Sequence, residues 1–398
     1  MSETQQARVI DSPQALNAAG LRALDSGDAA AAILLFARAT ALDGQAAALW
    51  LNLAKAQRLT GDDDGEAASL ARVLAIDARD LTGLIRSAEL HERRGDAAKA
   101  MVAWSGVVAV APPVAETARP LSDVLAHAAA FVATRSADFA ATIDAALAPV
   151  VATVAPSARR RFDAAVGVAT GQRRVFVNEC AGMHFPFLPA DEFFARDHFP
   201  WLAAFEAQTP AIRAEVEALL GRGDGIEPYV AMAPGAPPNK WSALDRSLDW
   251  GCYYLWQYGR PIDAALAACP ATAAALAAVP KAELPGRAPT AFFSILKPHT
   301  RIPPHTGVSN TRTIVHLPLI VPPGCGFRVG GETREWVEGQ AFAFDDTIEH
   351  EAWNDSDQVR VVLILDVWNP YLTADEQMLL QEFYRAVDAS GHNPEPRD

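Results

Sequence analysis

Three of the nine histidines, His305, His316 and His350, fall between positions 305 and 350. His305 stands in Pro303-Pro304-His305-Thr306-Gly307, just before a strand-like run, and His350 closes a loop from Phe344 between two such runs. Two imidazoles on adjacent strand ends can meet at one metal ion. Coordination sites then stay open for an oxoacid and dioxygen, the logic of non-haem iron centres. A lone His is more often a satisfied structural residue, but three in one small β region shift that balance.

Arg360 follows on the apolar run 359–366. Period-two alternation sets Arg360, Val362 and Ile364 on one face. A buried, unpaired cation is costly, so this guanidinium calls for an anion. A bidentate carboxylate ligand is the natural one; the alternative is an internal bridge to Asp345, Asp346 or Glu349. The same alternation groups Arg312, Ile314 and His316 on one strand face, and Ser294 with Leu296 on another.

These residues need a rigid frame, and the chain changes character after Gly171 to provide one. Runs 291–296, 311–321, 338–344 and 359–368 are β-branched and aromatic, bounded by Pro, Gly, Asn and Asp. Short strands without intervening helices predict an antiparallel sandwich or barrel. Helical patterns at 211–220 and 261–278 precede them. The expectation is a jelly-roll β core packed on helices.

The N-terminal part repeats. Gly27-Asp28, Gly61-Asp62 and Gly95-Asp96 are spaced by 34 positions, and Phe36, Leu70 and Trp104 share the offset. Gly ends one helix and Asp caps the next. Each unit is a helix–turn–helix that must stack on its neighbours to bury an apolar face. This resembles tetratricopeptide repeats, which implies a concave surface for a peptide or partner protein; a spacer or dimerisation element is the alternative. Helical, Ala- and Val-rich sequence continues through 121–134 and 139–151. The domains expected are a tail at 1–11, three repeats over 12–114, a helical bridge or solenoid extension over 115–171, the β domain over 172–390, and a tail at 391–398.

Bulk properties exclude several classes. The 398-residue chain has a formal net charge of −14, which argues against a nucleic-acid partner. The run Arg159-Arg160-Arg161 reads as a solvated helix face. No stretch approaches the ~18 apolar residues of a membrane helix; the stretch 145–155 is short and interrupted by Pro149. The first ten residues lack the pattern of a signal peptide. Four cysteines without CxxC spacing suggest free thiols in a reducing compartment. A cytoplasmic protein is expected.

The stretches FFSILKPHTRIPPHTGVSNTRTIVHLPLIVP and FDDTIEHEAWNDSDQVRVVLILDVWNP closely resemble the aspartyl/asparaginyl β-hydroxylase family. LDWGCYYLWQYGR and FPFLPADEFFARDHFPWL resemble its weaker motifs. The resemblance, over about residues 172 to 375, implies a double-stranded β-helix binding Fe(II) and 2-oxoglutarate, with dioxygen as co-substrate. It implies His305 and His350 as iron ligands, and Arg360 with Ser294 as the holders of the distal carboxylate of 2-oxoglutarate. His316 would sit beside the oxoacid, and Arg312 and Trp250 near the cofactor or the substrate entrance. Most enzymes of this chemistry carry a carboxylate two residues after the first His. Gly307 occupies that position here, and its absence is a property of the family.

One position departs. Ile314 stands where the family's animal enzyme has a second Arg near the oxoacid and its acidic substrate. The implied reaction is hydroxylation of a C–H bond, foremost the β-carbon of an Asp or Asn residue in a protein or peptide recruited by the repeats. The same chemistry on a free amino acid, a natural-product peptide or a lipid acyl chain is the alternative. A non-catalytic repeat scaffold and a zinc hydrolase using Glu349 as base are the rivals from other classes.

Overall fold

The computed structural model describes residues 12–112 and 119–392. The expected tail 1–11, the segment 113–118 and residues 393–398 lie outside the described residues. The chain divides between Arg173 and Arg174 into two compact units.

The first unit is an antiparallel helical array. Helices α1 (Pro13–Asp25), α2 (Ala29–Leu42), α3 (Ala47–Thr60), α4 (Asp63–Ile76), α5 (Leu81–Arg93) and α6 (Ala97–Val110) form three successive pairs. Within each pair the turn is made by glycine in the left-handed region, at φ +85, +73 and +71 for Gly27, Gly61 and Gly95. A side chain there would strain the backbone. The following Asp28, Asp62 and Asp96 cap α2, α4 and α6 by accepting from Ala31, Gly65 and Lys99 backbone N–H groups. The column Phe36, Leu70 and Trp104 is fully buried. The fold is a solenoid of tetratricopeptide type.

Beyond it run α7 (Leu121–Val151) and α8 (Pro156–Ala169). The two expected runs 121–134 and 139–151 are thus one helix of 31 residues. Pro149 lies within its last turn, where few further hydrogen bonds remain to be broken. Among the described residues no helix is long and apolar enough to cross a membrane.

The second unit holds two antiparallel sheets. The strands are β1 (Glu227–Pro228), β2 (Trp250–Gln257), β3 (Arg260–Pro261), β4 (Ala291–Leu296), β5 (Thr300–His305), β6 (Arg312–Ile320), β7 (Cys325–Val329), β8 (Glu332–Arg334), β9 (Phe342–Phe344), β10 (His350–Asn354) and β11 (Arg360–Trp368). The larger sheet runs β1-β2-β4-β11-β6-β9 with β3 beside β2, and the smaller runs β5-β10-β7-β8. Alternation along β11 sends Val361, Leu363 and Leu365 into an apolar layer shared with α9 (Thr209–Arg222) and with α10 (Asp263–Ala268) and α11 (Pro270–Ala277). Val362 and Ile364 point the other way, toward Ile302, Phe327 and Ala352 of the smaller sheet. The result is a jelly roll with helices on one face. A last helix, α12 (Ala374–Ala389), opens on a capping box between Thr373 and Glu376.

Three sequence expectations are corrected. His305 does not precede a strand but ends one, because β5 lies at a sheet edge, where Pro303 and Pro304 break no inner ladder. The helix expected at 261–278 is two short helices parted at Cys269, since Pro270 starts a new first turn. The strand expected at 338–344 shrinks to Phe342–Phe344, Gly339 turning the chain at φ +76.

Candidate active site

A cavity of about 340 Å³ lies between the two sheets. All seven residues singled out from sequence line it: Trp250, Ser294, His305, Arg312, His316, His350 and Arg360. They arrive from β2, β4, β5, β6, β10 and β11.

His305 and His350 are cross-strand partners at matched ends of β5 and β10. Their ring centroids are 4.0 Å apart. Nδ1 of His305 lies 2.9 Å from the Pro303 carbonyl, and Nδ1 of His350 lies 3.0 Å from the Ile348 carbonyl. A carbonyl only accepts, so each Nδ1 carries the proton and each Nε2 keeps a lone pair. Burial pushes the His305 imidazole down to about 4 and the His350 imidazole well below its ordinary range. Both are therefore neutral bases, the state in which imidazole binds a metal.

The position two residues after His305 is closed to any side chain. A Cβ on Gly307 would overlap the carboxyl of Asp346. Asp346 is half-buried, its carboxyl in that space with a buried, unpartnered Oδ1, and desolvation raises the carboxyl to about 7. Among the described residues no third metal-ligating side chain joins the two imidazoles. A metal held here would take its remaining donors from small molecules.

Four buried polar atoms without a partner belong to residues of this cavity: His316 Nδ1, Trp336 Nε1, Asp346 Oδ1 and Arg360 Nε. Leaving such groups unpaired costs about 1–3 kcal/mol each. Their convergence on one cavity fits a polar ligand that satisfies them together. Arg360 is the clearest case. It is 1% exposed, its Nη1 donates to Ser294 Oγ at 3.2 Å, and its cation lies 4.7 Å from the centre of the Trp336 ring. Burial depresses its basicity to about 10.

The internal bridge weighed as an alternative does not form. Asp345 accepts from Thr347 and Asn178, and Glu349 pairs with Arg328 at 3.0 Å and Arg174 at 3.1 Å. Ser294 Oγ also accepts from Trp250 Nε1 at 3.1 Å, which fixes the indole against the site. Arg312, by contrast, is spoken for: its Nη1 donates to Asp366 Oδ2 at 2.6 Å.

Sequence reasoning weighed Asp346 only as an ion-pair partner for Arg360, and gave no role to Trp336 or to the aromatic wall around Tyr229, Trp241 and Phe292. Asp346 had a signal, being an acid within the loop that delivers His350. Trp336 had none, because it reaches the cavity from the loop after β8.

Residues 206–370 match the family model for aspartyl/asparaginyl beta-hydroxylase. That stretch contains every residue lining the cavity. The aspartyl/asparaginyl beta-hydroxylase of Mus musculus is 41% identical over 134 residues, covering 33% of this chain and 18% of that protein. The ornithine lipid ester-linked acyl 2-hydroxylase of Rhizobium tropici is 35% identical over 175 residues, covering 43% of this chain and 58% of that protein. The chain thus spans under a fifth of the first relative and somewhat over half of the second. The resemblance carried by the sequence motifs and the family model fall on the same domain, and both relatives are hydroxylases. For the helical unit, the TPR domain of Arabidopsis OM64 is similar at 14% identity, covering 31% of this chain and 94% of that one, with a TM-score of 0.27.

Proposed function

We propose that this protein is an Fe(II)- and 2-oxoglutarate-dependent dioxygenase that hydroxylates a C–H bond. The observation that carries it is Arg360, a buried cation without a carboxylate, facing the same cavity as two neutral imidazoles. The chemistry such a centre supplies is oxidative decarboxylation of 2-oxoglutarate to succinate and carbon dioxide, coupled to hydroxylation.

The residues divide the work. His305 and His350 present their Nε2 lone pairs to the metal, each oriented by its own backbone carbonyl. Arg360 and Ser294 hold the distal carboxylate of 2-oxoglutarate in a charge-assisted pair. His316 offers its free Nδ1 beside the oxoacid, and Trp250 locks Ser294 in place. Arg312 stands at the substrate side. The Asp346 carboxyl fills the space that a side chain on Gly307 would take.

The acceptor implied by the resemblance is the β-carbon of an Asp or Asn residue in a protein or peptide, which the helical repeats would recruit. The second reading is the same chemistry on a free amino acid, a natural-product peptide or a lipid acyl chain. It is favoured by the pairing of Arg312 with Asp366 and by the similarity to a lipid acyl hydroxylase. A zinc hydrolase is disfavoured, since Glu349, its general base, is held by two arginines. The free thiols fit a reducing compartment, the cytoplasm in this reading.

Anaerobic loading with Fe(II) and 2-oxoglutarate, followed by oxygen and quantification of succinate, tests the proposal. Succinate formation is expected in the wild type and lost in His350→Ala and Arg360→Ala. Failure of the wild type to bind both Fe(II) and 2-oxoglutarate would leave only the scaffold.

A further inference from the structure

The oxygenase reading assigns Arg360 to the oxoacid, and the remainder of the cavity has a different chemistry. Arg312, the other cation lining it, donates to Asp366, both side chains being largely buried. The Asp346 carboxyl, raised to about 7 by burial, interacts electrostatically with the same guanidinium. Lys240 is not among the residues lining the cavity, and its Nζ donates to the Pro304 carbonyl at 2.8 Å. Among the described residues lining the cavity, no cation is left to receive a carboxylate from a substrate. Asp346 and Asp366 would repel one.

What the wall does offer is a row of rings starting at the histidine pair. Trp241 meets His305 edge-on with centroids 5.0 Å apart. From Trp241 the row passes to Trp250 at 6.1 Å, then to Tyr229 at 4.0 Å. It continues to Phe292 at 5.4 Å and to Tyr254 at 5.2 Å. Tyr229 lines the cavity and is still 39% exposed, so the row opens to solvent. Ile314 and Ile364 add aliphatic surface from β6 and β11. A long, uncharged wall of this kind matches an extended apolar ligand better than a compact acid.

We propose that the carbon oxidised here belongs to an uncharged, linear aliphatic chain lying along this row of rings, selected by the Arg312–Asp366 pair together with Ile314 and Phe292. The inference rests on the oxygenase reading and names its substrate class. One C–H becomes C–OH. One oxygen atom of dioxygen goes to that product and the other into succinate, while C1 of 2-oxoglutarate leaves as carbon dioxide.

The test uses the full chain with Mn(II) under anaerobic conditions, so that nothing turns over. Binding of 2-oxoglutarate is measured first by tryptophan fluorescence, and the ternary complex is then titrated with matched probes. Octanamide is expected to bind at least tenfold more tightly than the monoamide of octanedioic acid, N-acetylaspartate amide, octylammonium or the compact N-acetylleucine amide. Shortening octanamide to hexanamide should weaken binding by roughly fifteenfold, at about fourfold for each of the two methylenes removed from the wall.

With Fe(II) and oxygen, octanamide should stimulate succinate formation and gain one oxygen atom by mass. Asp366→Asn, which removes the carboxylate charge paired with Arg312, should improve binding of the monoacid relative to octanamide. The wild-type ranking decides the matter even if that variant does not fold. If 2-oxoglutarate does not bind, the oxygenase reading fails and this inference with it. If 2-oxoglutarate binds but an acidic, cationic or compact probe matches octanamide, this inference alone is overturned.

Discussion

At Arg360 a cation is buried without a carboxylate, so the ligand-free protein carries an uncompensated desolvation cost. Arg360→Met should therefore raise the thermal midpoint of the ligand-free protein while weakening 2-oxoglutarate binding at least tenfold, as differential scanning fluorimetry and calorimetric titration would show. A variant less stable than wild type in the absence of ligand would refute that account.

Gly307 makes a second local case. Gly307→Ala forces its new methyl group into the Asp346 carboxyl. It should cost about 1–3 kcal/mol in urea unfolding, with part recovered in Gly307→Ala/Asp346→Gly.

His305 gives a pH dependence. Its folded-state value of about 4 lies below the ordinary 6.5. The unfolded chain therefore binds the proton that the fold refuses, and this residue's contribution to stability is lost as pH falls from about 6.5 toward 4. The stability gap between wild type and His305→Gln should close between pH 7.5 and 5. Asp345 and Asp346 titrate with the opposite sign and cancel in that difference, provided the substitution leaves them undisturbed.

Strands deliver these side chains, and their ends are fastened by Asn354. From the end of β10, its Nδ2 donates to the carbonyls of Leu296, Lys297 and Gln358. Its Oδ1 accepts from Ser356 N, Ser356 Oγ and Cys325 Sγ. The bonded carbonyls end β4 and precede β11, the strands carrying Ser294 and Arg360. Asn354→Ala should cost about 3 kcal/mol or more in urea unfolding, since it strands several buried partners at once. It should also weaken 2-oxoglutarate binding without touching the ligand.

The strands that hold Arg360, His316 and Ser294 were legible as β-branched and aromatic runs bounded by turn residues, because β4, β6 and β11 are covered on both faces and are apolar almost throughout. β5 was not legible, because two prolines speak against a strand unless its edge position is known. The Asp346 and Trp336 contributions were hidden for a related reason. Both come from turns and loops, where side-chain direction depends on tertiary closure rather than on any local period.

At the scale of the whole molecule, the cavity draws only on residues of the unit that begins at Arg174. Residues 174–398 produced alone should bind Fe(II) and 2-oxoglutarate within about twofold of the full chain, the differences among exposed sites being small. Loss of that binding would mean that the cavity needs the helical unit. The helical unit has its own arithmetic. The Gly–Asp turn, the cap and the buried aromatic or leucine recur every 34 residues, and each pair packs on its neighbours. An in-frame duplication of one such period would add a helix pair whose two new interfaces already exist in the sequence. Copy number can thus drift by recombination without inventing a new packing solution, and relatives of this chain should differ in the length of this region by multiples of one repeat.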